Sequence, residues 1–92
     1  MKIYISGPRT GIKDFNSPEF EKAKAHFINL GHLVESPSEA PRCNTWEDYM
    51  KYDIVLLLQC SHIFMLKGWE NSKGAKLEKY IADSLGIKEI VI

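Results

Sequence analysis

The sequence predicts a small doubly wound α/β domain, in which four parallel strands in the order 2-1-3-4 carry helices on both faces. Strand-like and helix-like segments alternate along the chain, and glycine or proline stands between most of them. The 92 residues can close one hydrophobic core but are too few for a second. Residues 1–92 are therefore expected to form a single domain.

The first half of the chain is expected to form two strands and the helix between them. Lys2–Ser6 is rich in β-branched and aromatic residues and stops at a Gly-Pro pair, which is typical of a short strand. Ser17–Glu19 predicts a helix start, because a capping hydroxyl is followed by proline and an acid. Apolar residues then recur at helical spacing as far as Gly31, and residues 32–35 form the second strand.

The second half of the chain adds two helices and two strands. Thr45 begins the second helix, with Asp48 completing a variant of the capping box, although Ile54–Leu58 alone would also suit a buried strand. Ser72 caps the third helix, which ends before Gly86. The expected elements are a helix over residues 45–60, a strand over 62–66, a helix over 72–85 and a strand over 88–92.

This topology predicts where a ligand would bind. In Rossmann-like sheets of this kind, ligands bind at the carboxyl ends of the strands, at the point where the strand order reverses. Here that point lies between the first and third strands. The loops Ser6–Asn16 and Lys67–Ser72 are therefore expected to line the crevice.

Composition and charge exclude several classes of function. Basic and acidic residues are equal in number, 12 each, whereas binding to nucleic acid favours a basic excess. The longest apolar run, Ile54–Leu58, is far shorter than the roughly 20 residues that cross a membrane. The N-terminus lacks the pattern of a secretion signal, so a cytoplasmic location is expected.

The cysteines and histidines do not predict a metal site. Cys43 and Cys60 form no Cys-x-x-Cys pair, and His26, His32 and His62 lie in unrelated segments. Both cysteines are expected to be reduced thiols with packing roles.

Glu78 is difficult to explain by packing. The third helix places it on the inward stripe, where a carboxylate costs free energy unless it is paired or faces a cleft. It is therefore either a functional group at the crevice or the partner of Lys73 or Lys76. The whole stripe consists of Asn71, Gly74, Ala75, Glu78, Ile81, Ala82 and Leu85.

Asp53 raises the same question on the second helix. It shares a face with apolar residues, so it is either functional or the partner of Lys51 or Tyr52. The opposite side carries Ile54 and Leu58, so this helix is apolar over most of its circumference from residue 54 onward. A second subunit would cover that side, and a homodimer or larger homo-oligomer is expected.

The start of the third helix is expected to attract an anionic ligand. Ser72 and the free backbone N–H groups after it form the kind of helix start at which phosphate or carboxylate binds. Ser6–Gly11 is expected beside it, but this loop matches neither the Walker pattern nor the dinucleotide fingerprint. Trp69, in the preceding loop, could stack on a base or pack over the crevice mouth.

Several short segments together form a family pattern. These segments are Ile3–Pro8, Thr10-Gly11, Thr45–Met50 and Gly68–Ala75. With them the chain resembles the nucleoside 2-deoxyribosyltransferase superfamily, and most closely a small, often phage-borne branch of it. The resemblance covers residues 1–85. Its links to the enzymes of the superfamily are Tyr4, Asp53, Ser72, Gly74 and Glu78.

The resemblance implies cleavage of an N-glycoside and suggests a role for each residue. Glu78 would attack the anomeric carbon of a 2-deoxyribosyl N-glycoside, Tyr4 would position Glu78, and Asp53 would protonate the departing base. Ser72 stands where transferases of the superfamily carry aspartate, whereas the branch that hydrolyses deoxynucleoside 5′-monophosphates has a phosphate-contacting serine there. The resemblance therefore favours hydrolysis of a nucleotide over base exchange between nucleosides.

The leading hypothesis is an N-glycoside hydrolase or transferase that acts on a 2-deoxynucleoside 5′-monophosphate or nucleoside without a metal or organic cofactor. One alternative is a catalytically inactive nucleotide sensor, and another is a homo-oligomeric interaction protein. In the leading hypothesis, Ser72, Gly7 and Arg9 hold the phosphate. The full set of expected substrate contacts is Ser6, Gly7, Arg9, Asn16, Trp69, Asn71, Ser72 and Gly74.

Overall fold

The computed structural model, which describes residues 1–37 and 45–92, confirms the predicted fold class. All four strands are parallel and follow the order β2-β1-β3-β4. The strands are β1 (Lys2–Ser6), β2 (Leu33–Glu35), β3 (His62–Met65) and β4 (Lys88–Glu89). The helices are α1 (Ser17–Asn29), α2 (Trp46–Leu58) and α3 (Lys73–Ser84). A 3₁₀ turn spans Trp69–Asn71, and Lys13–Asn16 forms a turn with left-handed backbone geometry.

The central strand β1 separates two hydrophobic clusters. Because successive side chains of a strand point to opposite faces, Ile5 packs with Phe20 of α1. Tyr4 packs on the other face, in the cluster that contains Leu57 of α2 and Ala75 of α3. The helices therefore cover both faces of the sheet, as the sequence predicts.

The starts of α2 and α3 follow the predicted capping chemistry. Thr45 Oγ1 accepts a hydrogen bond from the backbone N–H of Asp48 at 3.1 Å. Ser72 Oγ accepts one from the N–H of Ala75 at 3.2 Å. Both helices begin at the same end of the sheet, and their first turns border the same cavity.

The start of α1 differs from the prediction. Ser17 lies inside the helix, and the cap position is taken by Asn16, whose φ of 61° is left-handed and whose side chain makes no capping hydrogen bond. The Asn16 amide instead donates to the carbonyl oxygen of Pro8 at 2.9 Å, which ties the loop after β1 to the start of α1. Ser17 is therefore not the cap, although Pro18 does occupy the first helical turn.

Some predicted boundaries were too long. Helix α2 ends at Leu58 rather than near Cys60, and β4 spans only Lys88–Glu89. Leu85 was wrongly placed on the inward stripe of α3: it follows the last helical residue, its backbone leaves helical geometry, and its side chain is 62% exposed. The buried residues of α3 are Ala75, Glu78 and Ala82.

The cysteine prediction can be checked for one of the two cysteines. Cys60 is a buried free thiol, as expected, while Cys43 lies outside the described residues.

On the outer side of α2, Val55 and Leu58 are 55% and 52% exposed, and the homo-oligomer that would cover them stays a prediction. In the part of the chain that the structure describes, no helix is both long and apolar enough to span a membrane.

Candidate active site

A cavity of about 990 Å³ opens where the strand order reverses. It lies at the carboxyl ends of β1 and β3, which is the crevice expected from the topology. Its walls come from the loop after β1, the face of α2 that carries Asp53, the loop after β3 and the first turns of α3. A cavity of this size can hold a nucleotide-sized small molecule.

Glu78 lines this cavity, and two side chains of β1 that do not line it donate hydrogen bonds to the Glu78 carboxyl group. Its side chain is 3% exposed. The Tyr4 hydroxyl donates to Oε2 at 2.5 Å, and the Ser6 hydroxyl donates to Oε1 at 2.6 Å. Among the described residues, neither Lys73 nor Lys76 forms an ion pair with Glu78, so two hydroxyl groups take the place of the lysine partner considered from the sequence.

Burial has the largest effect on the pKa of Glu78. It raises the pKa of this carboxyl from 4.5 to about 7, and the hydrogen bonds from Ser6 and Tyr4 oppose the rise because they favour the ionised form. Burial, together with the negative charge of Glu78, raises the pKa of Tyr4 well above 10. Tyr4 is therefore a protonated donor at every pH at which Glu78 titrates.

Asp53 brings a second carboxyl group to the cavity. It is 7% exposed, and its Oδ1 is buried without a hydrogen-bond partner in residues 1–37 and 45–92. Burial raises its pKa from 3.8 to about 6, while the charge of Arg9 acts in the opposite direction. A buried polar atom without a partner is costly, and in a cavity wall it is available to a ligand.

Arg9 is anchored at the edge of the cavity by the backbone. Its Nη1 donates to the carbonyl oxygen of Pro37 at 2.9 Å and its Nε to that of Phe15 at 3.3 Å. The guanidinium also lies 5.6 Å from the centre of the Phe20 ring. This anchored charge lowers the pKa values of both Asp53 and Glu78.

The first residues of α2 and α3 meet across the cavity. The Lys73 ammonium lies 4.0 Å from the centre of the Trp46 ring, in a cation–π contact. Gly74 allows this close approach, because a Cβ there would lie 3.1 Å from Met50 Sδ. Lys67 and Arg9 also line the cavity, so three cations accompany the two carboxyl groups within the described lining.

In the structure, the predicted site residues fall into three groups according to where they lie relative to the cavity. Tyr4 and Ser6 lie behind Glu78 and do not line the cavity. Asn16 binds the backbone of Pro8, and Trp69 packs against the core cluster that contains Tyr4. The predicted residues that line the cavity are Gly7, Arg9, Asp53, Asn71, Ser72, Gly74 and Glu78.

The predicted substrate contacts did not include the side chains of Trp46, Lys67 and Lys73, which line the cavity, although Lys67 lies in a loop that was expected there. Trp46 and Lys73 are the first residues of their helices, directly after the capping residues, and Lys67 follows β3. Because the capping residues Thr45 and Ser72 were recognised in the sequence, the residue directly after each of them could have been predicted to lie at the cavity. The contact between Trp46 and Lys73 depends on the packing of α2 against α3, which no local pattern encodes.

The raised pKa of Glu78 predicts a pH-dependent stability difference. The folded protein binds this proton more tightly than the unfolded chain, so the stabilisation is complete below about pH 4.5 and is lost as the pH rises through about 7. We expect wild type to lose up to roughly 3 kcal/mol of unfolding free energy relative to Glu78→Gln between about pH 4.5 and 8.

Urea unfolding of both proteins across this pH range measures the effect, and the contribution of Asp53, which is present in both, largely cancels. Glu21→Gln, at an exposed position of α1, controls for the loss of one carboxylate. A stability difference between wild type and Glu78→Gln that does not vary with pH would contradict the prediction.

The fold and the cavity define a doubly wound α/β domain with two buried carboxyl groups at a nucleotide-sized cavity. The chain belongs to the family described as Domain of unknown function (DUF4406), whose sequence profile matches residues 1–91. No match was found among curated proteins by sequence.

The structure is similar to that of a 2-deoxyribosyltransferase from the psychrotolerant bacterium Bacillus psychrosaccharolyticus. The TM-score is 0.75 and the sequence identity 20%, and the match covers 97% of this chain and 69% of that one. This likeness shows a shared fold across nearly the whole domain.

Proposed function

We propose that this protein cleaves the N-glycosidic bond of a 2-deoxynucleoside 5′-monophosphate, with Glu78 as the nucleophile. The observation that carries the proposal is the position of Glu78, a buried carboxyl group that lines the cavity and is held by hydroxyl groups at both oxygens. The fold shared with a 2-deoxyribosyltransferase supports the same chemistry. We also propose, from the sequence resemblance alone, that the chain belongs to the small, phage-type branch of that superfamily.

The reaction needs one ionised and one protonated carboxyl group. The Glu78 carboxylate attacks the anomeric carbon, the bond from this carbon to the base nitrogen breaks, and Asp53 gives its proton to the departing base. A water molecule then attacks the glycosyl ester, Asp53 takes up a proton from it, and Glu78 is released. A second base in place of water would give transfer rather than hydrolysis.

The charges of the cavity support a phosphorylated substrate. Two carboxyl groups near the reacting carbon would repel a phosphate, so the phosphate is expected at the cations Arg9, Lys67 and Lys73. The start of α3 adds backbone N–H groups at the same rim, and Ser72 provides a hydroxyl there. The proposal therefore places the sugar over Glu78 and the phosphate against α3.

A chromatographic turnover assay tests the proposal. The protein is incubated with the four 2-deoxynucleoside 5′-monophosphates and, separately, with the free nucleosides and a foreign base. We expect free base from the monophosphates. A new nucleoside in the second incubation would instead show transfer, and no product in either would contradict the proposed activity and favour a nucleotide sensor, which a binding titration would then test.

Substitutions at Ser72 test the phosphate position without removing the helix cap. Both Ser72→Thr and Ser72→Asp keep a capping oxygen for the N–H of Ala75. Ser72→Asp adds a negative charge at the expected phosphate site, so its kcat/KM for monophosphates should fall about 100-fold or more relative to Ser72→Thr. Equal activity of the two variants would place the phosphate elsewhere.

A further inference from the structure

We infer that Ser6 is a positioning residue for Glu78, and that Ser6 and Tyr4 together clamp the carboxylate in one orientation from the central strand. This inference rests on the proposed function, in which Glu78 is the nucleophile. It replaces the expectation that Ser6 contacts the substrate, because Ser6 is fully buried behind Glu78 and is not part of the described cavity lining.

The clamp follows from the two-residue repeat of a strand. Tyr4 and Ser6 are separated by one residue in β1, so their side chains lie on the same face of the sheet. Each hydroxyl donates to a different oxygen of Glu78, at 2.5 Å for Tyr4 and 2.6 Å for Ser6. Rotation of the carboxylate about its last side-chain bond would break both hydrogen bonds, so this arrangement favours a single orientation.

The strand gives the Ser6 hydroxyl little freedom to move. Ser6 is opposite Met65 in the parallel ladder, and its carbonyl oxygen accepts a hydrogen bond from the N–H of Leu66 at 2.8 Å. The next residue, Gly7, packs so closely on Leu66, the residue after β3, that an added Cβ would lie 2.7 Å from the Cβ of Leu66. The backbone at Ser6 and Gly7 is thus held against Met65 and Leu66.

The clamp has two consequences for catalysis. A fixed carboxylate keeps its free lone pairs in one geometry relative to the anomeric carbon, which lowers the entropy cost of attack. The Ser6 hydrogen bond also favours the ionised carboxylate and so lowers the pKa of Glu78. Ser6 should therefore affect kcat and the basic limb of the pH profile, which follows Glu78 because its pKa of about 7 lies above the pKa of about 6 of Asp53, with little effect on KM.

Kinetics of Ser6→Ala test the inference. We expect kcat to fall about 10- to 100-fold, because one charge-assisted hydrogen bond is lost, while KM stays within about threefold. The basic limb of the kcat/KM profile should move to higher pH, because Glu78 has the higher pKa of the two carboxyl groups, while the acid limb stays near the pKa of Asp53. Ser6→Cys, which is similar in size and a weaker donor, should lie between wild type and Ser6→Ala. An increase in KM with unchanged kcat would instead mean that Ser6 contacts the substrate.

A second measurement does not depend on turnover. The side-chain carboxyl carbon of Glu78 is followed by ¹³C NMR as the pH is changed, in wild type, Ser6→Ala and Ser6→Cys. Ser84→Ala, which removes a hydroxyl that donates to the Tyr80 carbonyl oxygen on the exposed side of α3, is the control.

The NMR titration separates failure of the clamp from failure of the proposed function. The midpoint of Glu78 should move to higher pH in Ser6→Ala, less in Ser6→Cys, and not in Ser84→Ala. An unchanged midpoint in both Ser6 variants would overturn the clamp even if the enzyme turns over. Shifted midpoints in a protein without turnover would support the clamp and contradict the proposed reaction. If Ser6→Ala does not fold, Ser6→Cys decides the question alone.

Discussion

If Glu78 is the nucleophile as proposed, Glu78→Gln is expected to lower turnover of 2-deoxynucleoside 5′-monophosphates by about 10⁴-fold or more, because only the remaining binding contacts are left. Glutamine has nearly the same size and can still pair with the hydroxyls of Tyr4 and Ser6. Its amide cannot form the glycosyl ester, so the chemical step is lost while the fold is kept.

Rapid quench followed by mass spectrometry of the peptide that contains Glu78 adds a direct measurement. Wild type should carry a covalent 2-deoxyribosyl phosphate on this residue during turnover, and Glu78→Gln should not. Glu70→Gln, at an exposed position shortly before α3, is the matched control and should keep wild-type turnover. Substantial turnover by Glu78→Gln would rule out Glu78 as the nucleophile.

Asp53→Asn is expected to lower turnover of the natural substrates by about 10²- to 10⁴-fold, which is the usual range for loss of a general acid. The loss should depend on the leaving group. A 4-nitrophenyl 2-deoxyriboside 5-phosphate releases a leaving group that needs no proton, so Asp53→Asn should retain most of the wild-type rate with it. Comparison of kcat/KM for the two substrates measures this difference.

The pH profile gives a further readout of Asp53. The proposed reaction needs ionised Glu78, whose pKa is about 7, and protonated Asp53, whose pKa is about 6. The active form is therefore a minor species, and kcat/KM of wild type should be bell-shaped with its maximum between about pH 6 and 7.

Asp53→Asn should lose the basic limb of this profile, because the titrating acid is gone. Asp48→Asn, an exposed position on the same helix, controls for the loss of a carboxylate from α2 and should keep the wild-type profile. Equal losses with both leaving groups would show that Asp53 does not protonate the base.

Much of the fold was predictable because its signals are local. The capping hydroxyls of Thr45 and Ser72 and the alternation of strand and helix patterns lie within a few residues of the elements that they specify. The sheet order follows from the connection rules for parallel strands. The start of α1 was predicted wrongly because a contact outside the helix intervened: the Asn16 amide binds the carbonyl oxygen of Pro8, and α1 begins one residue early.

The buried location of Glu78 was determined by the sequence alone, because a carboxylate on an apolar stripe at helical spacing must be buried when that stripe packs on the sheet. Its hydrogen-bond partners were decided by the tertiary structure. Ser6 and Glu78 are separated by 72 residues, and the parallel sheet and α3 bring them to 2.6 Å. A hydrogen bond depends on distances and angles of a few tenths of an ångström. Only packing of the whole core sets positions to that accuracy. The tertiary structure therefore decides whether a lysine or a pair of hydroxyl groups binds the Glu78 carboxyl group.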